Sequence, residues 1–183
     1  MNNRGLIILV VIFIGLFVAV FLQNRQIEQD AQATPEPIMS RVFPDLAVLD
    51  IQAIQVRDVR TEESFTIARD ADGQWTAPAV EGELIERAGT GIAQTIVLLP
   101  FTRTIEITNE IDLVDFGFDP FGYLLIQVLL SNGEEHVISI GNPLQQAPEF
   151  YILVDQIPVL YTAFRQPYDY LASLLDDPPI VEN

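Results

Sequence analysis

The sequence predicts an α+β protein: an N-terminal transmembrane helix, then a domain of mostly antiparallel β-sheet with two helices. Three observations carry that prediction. Residues 6–22 are apolar and uncharged, residues 45–178 are rich in short alternating runs punctuated by turn signals, and a helical period replaces the alternation in only two places. The order, strands and then a helix, occurs twice. It describes two β-β-α-like halves, without a residue-level repeat between them.

Residues 1–5 form a short N-terminus and 6–22 the membrane helix. The run LIILVVIFIGLFVAVFL is seventeen residues long, and as a helix it spans about 26 Å, enough to cross the hydrocarbon core of a bilayer. Leu6, Ile8, Val11, Phe13, Phe17, Val20 and Leu22 mark all sides of this helix as apolar, so its first partner is the membrane lipid bilayer. Gly15 permits close approach of a second membrane helix. Ala31-Gln32-Ala33 has the form of a signal-peptidase site but lies too far past Leu22, and the apolar run is longer than a signal sequence requires, so an uncleaved anchor is expected. The amino terminus and Arg4 precede the run, and Arg25 after it is soon followed by Glu28 and Asp30; this asymmetry places the N-terminus in the cytoplasm and the rest outside it.

Residues 23–44 are polar and punctuated by proline, as expected of a linker, and residues 45–178 have globular composition. Ile51, Ile54 and Val56 mark a first strand. Phe65 to Arg69 alternates as a second, and Asp70-Ala71-Asp72-Gly73 turns it into a short strand around Trp75. Over Glu83 to Leu99 the period changes: Ile85, Ala88, Ile92, Ile96 and Leu99 share one helical face and Pro100 stops the helix, while Gly89 and Gly91 weaken it unless something packs closely there. Phe101 to Ile107 is a strand, followed by a loop from Asn109 to Gly122. Leu124 to Leu130 and Glu135 to Ile140 form a hairpin through Ser131-Asn132-Gly133-Glu134, for which Asn-Gly predicts a type I′ turn. Phe150 to Val154 pairs with Val159 to Thr162, and Pro167 opens a helix bearing Tyr170, Leu171 and Leu174. Asp177-Pro178-Pro179 ends that helix, leaving 179–183 as a tail.

Composition removes whole classes of chemistry. The chain has no Cys, which excludes disulfides, thiolate metal sites and iron–sulfur ligation; its one His excludes multi-histidine metal sites. All nine basic residues are Arg, so Schiff-base chemistry and a P-loop lysine are excluded. From Glu28 onward seven Arg face 26 acidic residues, a net charge of −19 that repels a phosphate backbone, so nucleic acid is not expected as a partner.

Few residues invite a catalytic role. His136 stands beside Glu134 and Glu135, but neighbours on a strand point to opposite faces, so Glu135 and His136 cannot share a site and a solvated polar position is expected. Asp70-x-Asp72-Gly73 lacks the further ligands of a calcium loop, Gly89-x-Gly91 lies inside a helix, and Asp176-Asp177 reads as the acidic end of the last helix. No metal and no cofactor are expected. Phe116, Phe118, Phe121 and Tyr123, set among Gly and Pro in a loop, are candidate anchors for a partner protein.

The order of signals resembles a known family. Val42-Phe43-Pro44-Asp45-Leu46, Ile51 to Val56, and Phe65 to Asp70 running to Asp72-Gly73-Gln74-Trp75 are similar to the opening of the bacterial domain-of-unknown-function family 4340. The likeness continues through the 83–99 helix, Asp112 to Pro120, the Asn132-Gly133 hairpin ending Ile138-Ser139-Ile140-Gly141-Asn142, and the Phe150-Tyr151 strand, covering about residues 42–178. Phe118 and Pro120-Phe121 depart from the residues common in that family. The resemblance implies a membrane-tethered, β-rich protein of the bacterial cytoplasmic membrane, auxiliary to a gliding-motility-type ABC transporter, and brings no catalytic residue with it.

The expected function is therefore a non-enzymatic accessory subunit whose acidic extracytoplasmic domain, periplasmic or at the cell surface, binds integral subunits of a membrane complex, either an ABC-type transporter or an electron-transfer assembly. The alternative is an envelope hydrolase or carbohydrate-binding protein that uses clustered carboxylates. It predicts acidic side chains converging in one pocket.

Overall fold

Alternating apolar and polar side chains give a strand one face for a core, and here that alternation runs through one wide sheet. The computed structural model describes residues 40–155 and 157–181. The predicted membrane span, with its anchor residues from Leu6 to Leu22, lies outside the described residues, as does the linker up to residue 39. Among the described residues no helix is long and apolar enough to cross a membrane.

In chain order the elements are β1 (Ser40–Arg41), β2 (Ile51–Asp58), β3 (Ser64–Arg69), β4 (Trp75–Thr76), β5 (Glu83–Leu84), α1 (Ala88–Val97), β6 (Pro100–Phe101), β7 (Arg103–Glu106), β8 (Leu124–Leu130), β9 (Glu135–Pro143), β10 (Glu149–Val154), β11 (Val159–Phe164), α2 (Arg165–Asp176) and β12 (Ile180–Val181). Eight strands make one sheet in the order β4-β3-β2-β8-β9-β10-β11-β7, and the pairs β1–β6 and β5–β12 form separate ribbons. Every pairing is antiparallel. The expected class, α+β with a mostly antiparallel sheet and two helices, is the class observed.

One face of the sheet carries the main core. Ile54, Val56, Ile67, Ile126, Val128, Ile138, Ile140 and Ile152 are buried there, and α2 lies across β2 and β3 with Tyr168, Leu171 and Leu174 inward. Ile51 joins them although it stands three positions from Ile54, out of step with a period of two. The reason is a bulge: Ile51 pairs with Leu130 and Ala53 with Leu129, so β2 holds one extra residue there and the alternation is reset.

The other face is divided. Over β3 and β2 it is mostly polar and on β8 Gln127 stands between Leu125 and the exposed Leu129; Gln55 Nε2 donates to Thr66 Oγ1 at 3.1 Å and Gln127 Nε2 to Glu135 Oε1 at 3.0 Å. Over β9 to β11 it is covered by the long connection from β7 to β8, residues 107–123, which must cross back over three strands because β7 is at the sheet edge and β8 at its centre. Phe118 and Leu160 are buried on that side, apart from the main core.

The structure corrects four sequence expectations. The helix starts at Ala88, not Glu83: Glu83 and Leu84 pair as a strand with Val181 and Ile180, and Ile85 is exposed. The 179–183 tail thus contributes β12, and this distant partner overrides the local helical period. The linker ends earlier than residue 44, since Ser40 and Arg41 pair with Phe101 and Pro100 and Phe43 is buried. Finally, in the Ser131 to Glu134 turn Gly133 alone takes a positive φ, of 87°, whereas a type I′ turn requires two such residues. The hairpin itself forms as expected.

Gly89 and Gly91 separate cleanly. A Cβ on Gly89 would overlap the Trp75 ring, whereas a Cβ on Gly91 would meet open space. Close packing therefore explains the first glycine of α1 and not the second.

Tyr168 is fully buried in the core, and its hydroxyl finds no hydrogen-bond partner among the described residues. Burial alone pushes that phenol well above the usual tyrosine range. Tyr123, half-buried, is pushed up to about 12, chiefly by burial and then by Asp169, against the opposing pull of Arg165 and Arg60. Above the tyrosine reference value of 10.0 the unfolded chain loses these protons while the folded chain keeps them. The unfolded state then binds fewer protons, so stability is complete below that value and falls as pH rises through the folded values. Urea unfolding of the full chain in detergent at successive alkaline pH should show this fall, and Tyr168→Phe should lessen it. At neutral pH the same variant should be as stable as the parent or more stable, because it removes an unsatisfied buried hydroxyl. A loss above about 1 kcal/mol at neutral pH would mean that the hydroxyl has a partner.

Candidate partner-binding groove

At the end of the sheet where the β8–β9 and β10–β11 turns lie side by side, the chain entering the domain, Val42 to Leu46, closes over the strand ends. The space left is a groove of about 440 Å³. Its apolar wall is Phe43, Leu46, Leu130, Val154, Ile157 and Tyr161; its polar groups include Asp45, Asp50, Asn132, His136 and Asp155.

His136 is placed by register. It pairs with Val128, a core residue, so its side chain falls on the apolar face, while Glu135 pairs with Leu129 and falls on the other. The expectation that the two neighbours face apart therefore agrees with the structure, but that of a solvated position does not. The imidazole is partly buried, stacks on Phe43 with ring centroids 4.8 Å apart, and holds Asp155 Oδ2 at 2.9 Å from Nδ1.

Asp155 is held in turn. Its φ is 53°, a left-handed conformation that Asp tolerates better than most residues, and its Oδ1 accepts the Val137 N–H at 2.8 Å while its own N–H donates to the Val137 carbonyl at 2.7 Å. Since a carboxylate only accepts, Nδ1 of His136 carries the proton, and in the neutral ring Nε2 is left as an acceptor. Neither Nε2 nor the Asp45 carboxylate has a hydrogen-bond partner among the described residues, whereas Asp50 Oδ2 already accepts the Ala47 N–H at 2.9 Å.

The four aromatic anchor candidates are scattered by the structure. Phe118 is buried, packed where a Cβ on Gly141 would strike its ring. Phe116 meets Tyr151 edge-on at 4.9 Å. Tyr123 packs against the main core, 5.9 Å from the Phe150 ring and with the Arg60 guanidinium 5.1 Å from its own. Asp58 anchors that guanidinium at 2.9 Å, and Arg60 in return holds the Asp58 carboxyl below its usual range. Only Phe121 of the four is exposed, at 54%. The loop is chiefly a cover for the sheet.

The remaining acidic motifs serve local structure. Asp70 Oδ1 accepts the N–H groups of Asp72 and Gln74, closing its own turn, and among the described residues no three acidic or histidine side chains gather as a metal site would require. Sequence reading missed the groove because its polar pair, His136 and Asp155, stands nineteen residues apart on different hairpins. The available signal was an Asp at a turn, which is a common and weak one.

Fold and site together define an antiparallel α+β domain with an apolar, acid-rimmed groove at one end of its sheet. The chain matches no protein-family model, no curated protein and no solved structure.

Proposed function

We propose that this chain is a non-enzymatic accessory subunit, anchored in the bacterial cytoplasmic membrane by one N-terminal helix with its N-terminus inside, whose acidic extracytoplasmic domain binds protein subunits of a membrane complex. An ABC-type transporter and an electron-transfer assembly are the two kinds of host. The observation that carries this reading is the groove, built on the segment by which the chain enters its domain, in a sequence whose residues 6–22 are apolar without a charge. Ile157 in the groove wall is 46% exposed, so the apolar surface of the groove is open to a partner. The order of motifs over residues 42–178, similar to a family of membrane-tethered proteins, supports the same reading.

The test is native purification of the full chain in mild detergent with mass spectrometry of what comigrates. Recovery in a membrane complex at fixed stoichiometry supports the reading. Recovery alone, as a monomer, overturns it.

A further inference from the structure

We propose that the groove seats a short cationic and apolar polypeptide segment of a neighbouring membrane protein, with an apolar side chain against Phe43, Leu130, Val154 and Tyr161 and a flanking Arg or Lys on Asp45 and His136. This names the partner chemistry of the accessory role proposed above and rests on it.

Size, donor–acceptor pattern, charge and place in the chain agree. A groove of about 440 Å³ holds one or two side chains, enough for the anchor of a peptide segment and too little for a domain surface. Of its polar atoms without a partner among the described residues, the Asp45 carboxylate and His136 Nε2 in the neutral ring accept only, and the Ser131 and Tyr161 hydroxyls can accept as well as donate, so an occupant that donates matches all four. Asp45, Asp50 and Asp155 line it and no Arg does. An acidic segment, or a second copy of this chain, whose residues from Glu28 onward carry −19, would be repelled. Residues 23–39 separate the apolar run from β1, and seventeen residues reach at most about 60 Å even fully extended. The groove begins two residues after Ser40, at Val42, so with Leu6 to Leu22 in the bilayer its occupant comes from a protein at the same membrane.

His136 is the only histidine of the chain, and its ring protons therefore report the groove alone. The full chain, in uncharged detergent micelles, is titrated with the capped tetrapeptide amide Arg-Leu-Leu-Arg while the His136 ring signals are followed by NMR. The expected result is a saturable shift, absent with Glu-Leu-Leu-Glu, whose midpoint moves about fivefold higher in Asp45→Asn. Ile157→Ser should weaken it further by removing apolar contact at the rim. Both positions are exposed, and an unchanged thermal midpoint certifies each variant as folded. The proposal is overturned by a signal that does not saturate, by equal shifts from both peptides, or by a midpoint that neither variant moves. The accessory role is judged separately by comigration: a chain that comigrates but ignores the peptide keeps that role and loses this groove, and a chain purified alone that binds the peptide does the reverse.

Discussion

Phe118→Ala is expected to lower the stability of the full chain by about 3 to 5 kcal/mol, the range for deleting a buried phenylalanine. For a domain of this size that moves the melting midpoint by on the order of 10 °C. The ring is only 2% exposed and seals the crossing connection onto the second face of the sheet, beside Gly141. Removing it leaves a cavity under the connection, which Phe116 on Tyr151 and the Gly122 N–H on Ser139 Oγ still tie to the sheet. Phe121→Ala, three residues away and 54% exposed, should change stability by less than about 0.5 kcal/mol. Urea unfolding in detergent measures both. A Phe118→Ala loss below about 1 kcal/mol would show that the connection is not seated on the sheet.

The second large effect belongs to a glycine. Gly122→Ala should destabilise by about 2 to 3 kcal/mol, because the added Cβ would overlap the carbonyl of Ile140, and a backbone atom in a paired strand cannot move aside as a side chain can. The same shift strains the buried hydrogen bond from the Gly122 N–H to Ser139 Oγ, 2.8 Å long. Gly91→Ala is the matched control. It lies exposed in α1 with open space around a new Cβ, so it should stabilise by about 0.8 kcal/mol through helix propensity. If the two substitutions proved equal in the same unfolding assay, the close approach of Gly122 to β9 would be wrong.

Local signals were read well where a strand and its turn are neighbours in the chain. The β3–β4, β8–β9 and β10–β11 hairpins all form, because the alternating runs and the short connections between them act within a dozen residues. Where a distant segment supplies the partner, the local reading failed. Glu83 to Arg87 continue the helical period, yet Glu83 and Leu84 take their backbone bonds from residues almost a hundred positions later. Ile51 breaks the period of two, and only the bulge against Leu130 shows why it is buried.

The candidate site divides in the same way. Phe116, Phe118, Phe121 and Tyr123 stand out in the sequence as a cluster, but which aromatic rings meet solvent depends on what lies beneath the loop, and three of the four have a partner there. His136 and Asp155 each stand beside a turn between two strands. Their pairing at 2.9 Å follows from two hairpins lying side by side, which no spacing within either hairpin encodes.

By itself the sequence determined the acidity of the domain, the exclusion of thiol and multi-histidine chemistry, the apolar run of residues 6–22 and the hairpin-rich α+β class. These are properties of composition and of periods a few residues long, set by the side chains themselves. Only the tertiary structure decided that the β7 to β8 connection is a cover, that the tail is a strand, and that Phe43, His136 and Asp155 frame one groove. Each of those depends on surfaces brought together from far apart in the chain, where packing and backbone pairing outweigh the preference of any local stretch.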